Sequence, residues 1–271
     1  TYDYHSLDGK TQTIKDIIDN KHEISKEIIN SKNPMVILGE SFLKLNSANY
    51  LFNSFKEFLV NNKKFTEDWK PLNVLSVDAS TVGNIDLDVI DQSNTILDDL
   101  GKNKFEIIFL VGQDDLNFKK KDEFIIYLGS HGDKGAETAD LILPGAAFTE
   151  QSGHYTNLEG KIQKSYKASY PPGDAKEDWQ VINDLAEILN NRKLFNDKDE
   201  LQSSMFNYLK IKLDQKDSDT IYKKNKDSFI NELLKVDFKD YYFSNVIARS
   251  SKTMLECNNS KLDFKKTGTE G

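Results

Sequence analysis

The chain has a single cysteine, Cys257, among 271 residues. One thiol excludes an intrachain disulfide, and it excludes any zinc or iron–sulfur centre built from four thiolates of this chain alone. Such sparse cysteine fits a reducing compartment. No basic residue adjoins Cys257 in sequence, so it reads as a small buried hydrophobe rather than a reactive thiol. Long apolar runs are missing too. None approaches the roughly 20 residues that cross a bilayer, so direct membrane insertion is not expected. A basic face is also lacking. The net charge is −8 and the pI about 5.2, and the short lysine blocks at 119–121, 223–224 and 265–266 are mixed with acids. They read as solvated loops or helix ends, and nucleic acid is not an expected partner. Arginine and alanine are scarce while Lys, Asn, Asp, Ile and Phe abound, a skew that tracks codon composition rather than any physical need. The phosphate-cradling patterns G-x-G-x-x-G and G-x-x-x-x-G-K-[ST] are absent. Gly39-Glu40-Ser41 and the Gly129 to Gly135 loop are only loose echoes of them. The start, TYDYHSLDGK, has no methionine and no targeting character, as in a processed protein or part of a longer chain.

What is present is an α/β pattern. Residues 1–33 carry isoleucines at helical spacing, Ile14, Ile17, Ile18 and then Ile24, Ile28, Ile29. Positions i, i+3 and i+4 share a helix face, so this is a helical lead-in in want of an apolar surface. It ends at Asn33-Pro34. Short buried strands follow at 35–39, 72–77, 105–111, 124–128 and 141–143, several stopped by glycine. Helical spacing separates them at 47–60 and at 85–100, where Gly101 supplies a stop. The expected fold class is therefore α/β: a mostly parallel sheet with helices on both faces and a helical C-terminal extension. Residues 34–191 make the α/β domain, closing with a turn at Tyr170 to Gly173 and a helix from Asp178 to about Leu189, N-capped by Asp174 or Asp178. Residues 192–271 make the extension and tail. It holds two amphipathic helices, one through Met205, Tyr208 and Leu209 and one through Phe229, Leu233 and Leu234, joined by a charged linker at 214–219. From Tyr241 onward little periodicity is left.

The densest signal is the stretch from His131 to Gln163, HGDKGAETADLILPGAAFTEQSGHYTNLEGKIQ. Its glycines at 132, 135, 145, 153 and 160 mark tight turns or close backbone approaches. Loops of this kind at the carboxyl end of a parallel strand are where α/β proteins hold ligands. His131 and Asp133 are thus candidates for a cofactor loop, and Glu150, His154 and Tyr155 for acid–base work. The plainer assignment is stronger. Asp133 caps a short helix around Ala136 to Ala139, His131 donates to a backbone carbonyl, and Glu150, Thr156 and Asn157 bond backbone groups in turns. Trp69 and Trp179 read as core or interface anchors. No catalytic, cofactor-binding or metal-binding residue is assigned.

This stretch resembles the molybdopterin-oxidoreductase-like C-terminal region of the large iron–sulfur subunit of respiratory complex I. The matching pattern is HGD-x-GA…AD-x-ILPGAA-[FY]-TE-x-S…Y-x-N-x-EG-[RK]-x-Q. A second segment, Tyr241 to Met254 with Cys257 (YYFSNVIARSSKTM…C), is similar to the extreme C-terminus of the same subunits, and the two occur in the family's order. With gaps, the resemblance runs from Pro34 to Cys257. It implies a structural part of the peripheral, NADH-oxidising arm, on the matrix side of the mitochondrial inner membrane. Its partners would be other peripheral-arm subunits. The iron–sulfur clusters would lie in the N-terminal half or a partner chain, with no cofactor in this one. The lead-in helix face, at Ile17 and Ile28, and the C-terminal helices would then clamp that half. Two alternatives stand beside this reading: a fragment of an active molybdopterin oxidoreductase such as a formate dehydrogenase, and a free-standing nucleotide-binding module.

Overall fold

The computed structural model describes residues 3–90, 95–216, 228–235 and 240–266. Of the expected linker at 214–219, residues 214–216 are helical rather than a linker, and 217–219 lie outside the described residues. The chain forms two compact units, residues 1–81 with 218–238, and residues 82–217 with 239–271.

The first unit opens with α1 (Thr11–Ile18) and α2 (Glu23–Asn30), followed by β1 (Val36–Gly39), α3 (Glu40–Leu43), α4 (Ala48–Asn61) and β2 (Leu72–Leu75). β1 and β2 pair in parallel, Val36 opposite Leu72 and Gly39 opposite Leu75. α4 buries Leu51, Phe55, Phe58 and Leu59, an i, i+4, i+7, i+8 stripe as its spacing predicts. Leu51 and Leu59 are wholly buried, each contributing about 1.5–3 kcal/mol.

The isoleucine face of α1 and α2 is not free for a partner. Ile17 is 5% exposed and sits in one cluster with Phe55, Phe58 and Leu59, while Ile14, Ile18, Ile24, Ile28 and Ile29 pack around it. The buried Ser25 hydroxyl donates to the Ile17 carbonyl at 2.7 Å, locking the two helices together. The lead-in is therefore core of its own unit, which corrects the clamp reading.

A second correction concerns Phe229 to Leu234. This segment is extended, not helical, and Leu233 bridges Lys10 in antiparallel fashion. The Thr11 amide donates to the Glu232 carbonyl at 2.9 Å, and the Leu234 amide to the Gly9 carbonyl at 2.7 Å. Thr11, fully buried, accepts from the Glu232 amide on its hydroxyl at 2.8 Å. Phe229 lies 5.6 Å from the Tyr50 ring and against the Leu38–Phe42–Leu51 cluster. A backbone whose donors and acceptors are claimed by another strand cannot spend them on helix bonds.

The second unit contains α5 (Thr81–Asp86), α6 (Ile96–Asp99), β3 (Ile107–Val111), β4 (Phe124–Gly129), α7 (Lys134–Thr138), β5 (Leu141–Pro144), β6 (Gly153–Thr156), β7 (Ile162–Ser165), α8 (Asp178–Asn190), α9 (Lys198–Lys216), a 3-10 turn (Tyr241–Phe243), α10 (Val246–Ser250) and α11 (Lys252–Lys266). β3, β4 and β5 form a parallel sheet in that order, with Ile107 opposite Phe124 and Ile126 opposite Leu141. β6 and β7 form an antiparallel hairpin. The fold is α/β with parallel pairing dominant, as expected, although the parallel strands are shared between two sheets. The helix expected over 85–100 is broken, since Asp88 has φ +58° and α5 stops before it. Gly101 supplies the expected stop, at φ +68°. The tail from Tyr241, where the sequence shows little periodicity, is largely helical among its described residues, in the 3-10 turn, α10 and α11. Asn245 caps α10 by accepting from the Ala248 amide at 3.0 Å.

One face of the three-stranded sheet is core. Leu110, Ile125 and Tyr127 are buried there with Ile108, Leu116, Phe118, Ala136 and Ala139 against them. Two carboxylates hold its entering edge. The buried Glu123 accepts from the Asn103 and Lys121 amides, both at 2.9 Å, and Asp140 accepts from the Ile125 amide at 2.8 Å.

Ile17→Ala is expected to destabilise the chain by about 2–5 kcal/mol. Ile17→Asp is expected to do more damage, because a carboxylate would sit unpaired among three apolar side chains. Urea unfolding followed by circular dichroism reads both; an unchanged midpoint for Ile17→Asp would return this face to the surface.

Candidate functional site

The loops leaving the carboxyl ends of β3, β4 and β5 converge as the sequence suggests, but their own side chains fill the space between them. Tyr127, on β4, is 1% exposed and its hydroxyl donates to the His131 carbonyl at 3.1 Å. Its ring runs under two glycines. A Cβ on Gly129 would come within 2.1 Å of the Tyr127 hydroxyl, and one on Gly135 within 2.6 Å of the Gln113 carbonyl and 2.8 Å of the ring. The close approach those glycines allow is therefore to a tyrosine of the same sheet.

Arg249, one of only two arginines in the chain, bridges the β3 and β4 loops from α10. Its Nε donates to Asp133 and its Nη2 to Asp114, each at 2.6 Å. All three side chains are largely shielded. Asp133 also accepts from the Lys134 amide at 2.8 Å and so caps α7, the capping role expected of it. Burial opposes ionisation of Asp133, but the guanidinium and the Lys134 amide outweigh it and hold the carboxyl below its usual range. At Asp114 burial wins over Arg249 and pushes the carboxyl up. Burial, with Asp114 and Asp133 close by, likewise raises the Tyr127 phenol.

His131 differs from its expected role. Its Nδ1 meets the Ser130 hydroxyl at 2.9 Å. Glu150, His154 and Tyr155 do not form a relay. Glu150 accepts from the Ala147 amide at 2.9 Å. His154 stands edge-on to Phe206 at 5.3 Å, and burial, aided by Lys164 and Lys198, lowers its pKa. Tyr155 follows it on the same strand and so points to the opposite face. Asn157 accepts from the Glu159 and Lys161 amides at 3.0 and 2.9 Å, the expected turn. Glu40 accepts from the Val77 amide at 2.6 Å. Trp69 donates to the Pro34 carbonyl at 2.8 Å. Cys257 is exposed rather than buried, since α11 carries it on an outer face.

A second polar cluster lies where α8 begins. The helix is capped by Glu177, with Gln180 closing a capping box, and not by Asp174 or Asp178. Glu177 accepts from the Trp179 indole at 3.2 Å and pairs with Lys198, which also donates to the Ser152 carbonyl at 2.7 Å. Asp178, the first helical residue, faces a cavity of about 610 Å³ walled by Leu87, Val89, Trp179 and Met205. Burial pushes its carboxyl above the usual range, Glu177 adds to that, and the Gln151 amide, donating at 3.3 Å, only partly offsets it. Sequence reasoning misses Arg249, Asp114, Glu177 and Lys198. The scarcity of arginine is the one available signal.

Two family profiles match the chain. That of molybdopterin oxidoreductase covers residues 1–188, and that of the C-terminal region of the NADH-ubiquinone oxidoreductase G subunit covers residues 202–257. The chain belongs to the molybdopterin oxidoreductase family. It is 31% identical to the NADH-ubiquinone oxidoreductase 75 kDa subunit of Reclinomonas americana over 95% of its own length and 38% of that protein's. It is 33% identical to the NADH-quinone oxidoreductase G subunit of Rickettsia bellii, over 99% and 39%. With the 78 kDa mitochondrial subunit of Neurospora crassa the identity is 34%, over 88% and 34%. The chain thus spans well under half the length of these relatives.

The residues of this loop cluster do not fit a molybdopterin. The space beneath Gly129 and Gly135 holds the Tyr127 ring. The two carboxylates offered to an anionic pterin phosphate carry the wrong sign, and the one guanidinium is already engaged by both. Among the described residues no group of three His, Cys, Asp or Glu is placed to hold a metal ion.

Arg249→Ala is expected to lower stability by about 1.5–3 kcal/mol, the range for hydrogen bonds to charged groups, and to release α10 first. Native-state hydrogen exchange at 246–251 reads this, and combining the change with Asp114→Asn and Asp133→Asn should recover part of the loss. Unchanged protection in the single variant refutes the clip.

Asp178 gives a pH signature. A carboxyl whose pKa is raised on folding binds its proton more tightly when folded, so it erodes stability as pH rises from the unfolded value towards the folded one. The stability of Asp178→Asn relative to the parent should therefore climb between pH 3 and pH 7. A flat difference would place Asp178 in water.

Proposed function

We propose that the chain is a structural part of the peripheral, NADH-oxidising arm of respiratory complex I. It supports electron transfer from NADH to ubiquinone and holds no redox centre of its own. The iron–sulfur clusters belong to the N-terminal half that corresponds to the rest of the relatives' length, or to a partner chain, and the partners are other peripheral-arm subunits, including that half if it is a separate chain. The site of action is the matrix side of the mitochondrial inner membrane. The observation that carries this reading is the Arg249 clip. It joins a segment within the second, C-terminal family match to the loops of the molybdopterin-oxidoreductase fold, closing with the chain's own side chains the place where a ligand would sit. The relatives' names and the single cysteine support the same reading, and no helix of the described residues is long and apolar enough to cross a membrane.

The test is co-migration of the chain with NADH:ubiquinone oxidoreductase activity on native gels, followed by turnover of two variants. His131→Ala and Glu150→Ala should leave NADH oxidation per assembled particle within about twofold of the parent, because each loses one loop hydrogen bond worth on the order of 1 kcal/mol. Any deficit should appear as less assembled complex. A large turnover loss at normal assembly would mean the loop performs chemistry.

A further inference from the structure

The extended segment 228–235 is held on the first unit by its main chain and by two side chains. Thr11 and Ser47 are both buried, and both spend their hydroxyls on this segment. Each hydroxyl donates to the Ile230 carbonyl at 3.1 Å. With the main-chain bonds to Gly9 and Thr11, this adds an extended segment to an edge of the unit. Glu232 sits at the start of α4. Its carboxylate accepts from the Asn46 side-chain amide at 3.1 Å and from the Ser47 backbone amide at 3.3 Å, where the helix dipole favours an anion. Phe229, three residues earlier, meets the Tyr50 ring and the Leu38–Phe42–Leu51 cluster, and the Lys15 ammonium stands 5.8 Å from its ring centroid.

The two sides of this contact are anchored unequally. The receiving residues are fixed by the core behind them, since α1 starts at Thr11 and buries Ile17, while α4 starts after Ser47 and buries Leu51 and Leu59. The segment itself is thinly held. Ile230, Leu233 and Leu234 are 45%, 60% and 38% exposed, and of its eight side chains only Phe229 and Glu232 are not exposed. Main-chain bonds to an edge, with pockets for a few side chains, are how proteins bind extended peptides. A segment with so few buried apolar contacts opens before the core beneath it.

We propose that the groove formed by Gly9 to Thr11, Asn46, Ser47 and Tyr50 is a peptide-recognition site for an extended aromatic-x-x-Glu sequence. Residues 229–232 of the same chain fill it as a strap that leaves and returns while the unit stays folded. The acid is selected because the Asn46 side-chain amide and the Ser47 backbone amide both donate to it. The aromatic is selected because its ring packs on Tyr50 and faces a cation. The occupant is the chain's own strap, whose bonds to the groove are complete. The groove is then open only to a competing segment of the same pattern, and the C-terminal extension is coupled through it to the N-terminal helices. This reading goes beyond the proposed function and does not depend on it.

Amide hydrogen exchange of the full chain is the first test. The Thr11 and Leu234 amides should exchange at least tenfold faster than those of Phe55 and Leu59 in α4. Equal protection would mean that the strap opens only with the whole unit, and overturns the proposal. The second test uses Phe229→Ala with Glu232→Ala in the full chain. This variant should keep the parent's circular dichroism spectrum. A fluorescein-labelled peptide of residues 228–235, SFINELLK, should bind it at least tenfold more tightly than it binds the parent, read by fluorescence anisotropy. The same peptide carrying both alanine substitutions should bind at least tenfold more weakly. Absence of binding to the folded variant, or equal binding of the substituted peptide, overturns the site. Thr11 protection in the parent that falls on dilution overturns the strap as well, since a second copy would then supply the segment. Should the double variant lose its fold, the exchange comparison in the parent decides alone.

Discussion

A guanidinium held between two carboxylates sets the geometry of the second unit's loop end. Arg249 presents a planar fork, and the two acids meet different prongs of it. Without the cation, Asp114 and Asp133 would face each other across a partly buried gap, so the loops after β3 and β4 hold their positions only while α10 supplies its charge. Burial first, and then the same two carboxylates, raise the pKa of the Tyr127 phenol, whose hydroxyl ties down the His131 backbone. Asp133 in turn caps α7, and α7 contributes Ala136 to the core. One ion triad thereby links the C-terminal helices, the glycine-rich loop and the covered face of the sheet.

Much of the architecture is legible in the order of the residues alone. The five strands show as short apolar runs and each lies where its run predicts, although they are not buried throughout as expected: on β3, Ile107, Phe109 and Val111 are exposed and alternate with the covered Ile108 and Leu110. α4 is legible because its stripe of Leu51, Phe55, Phe58 and Leu59 has only one periodic interpretation. The segment from Phe229 to Leu234 misleads for the opposite reason. Few residues carry its spacing, and what decides its conformation is a backbone pairing with Gly9 to Thr11, over 200 positions away. The break at Asp88 is equally hidden, since a left-handed residue other than glycine leaves little mark on hydrophobic periodicity.

The candidate site is legible in part. Asp133 as a cap, Asn157 in a turn and the glycines as points of close approach all follow from local chemistry. Arg249 does not, because its partner Asp133 stands 116 positions away and charge pairing at that distance is a property of the fold. Sequence points to the two segments as related to one family. It does not say that the second segment closes upon the first.

That closure bears on how loops of this kind are satisfied by the chain's own side chains. Loops at the carboxyl end of a parallel sheet are costly to leave open, since they bring backbone amides, turn glycines and polar side chains into a cleft that a ligand would otherwise satisfy. In this chain an aromatic ring takes the space and an arginine takes the charge. Glu150 and Asn157 turn back onto the main chain, and the described residues leave no buried side-chain polar atom without a partner. The side chains at the carboxyl end of the sheet are thereby tied to one another, from the Tyr127 ring beneath Gly129 and Gly135 to the Arg249 clip.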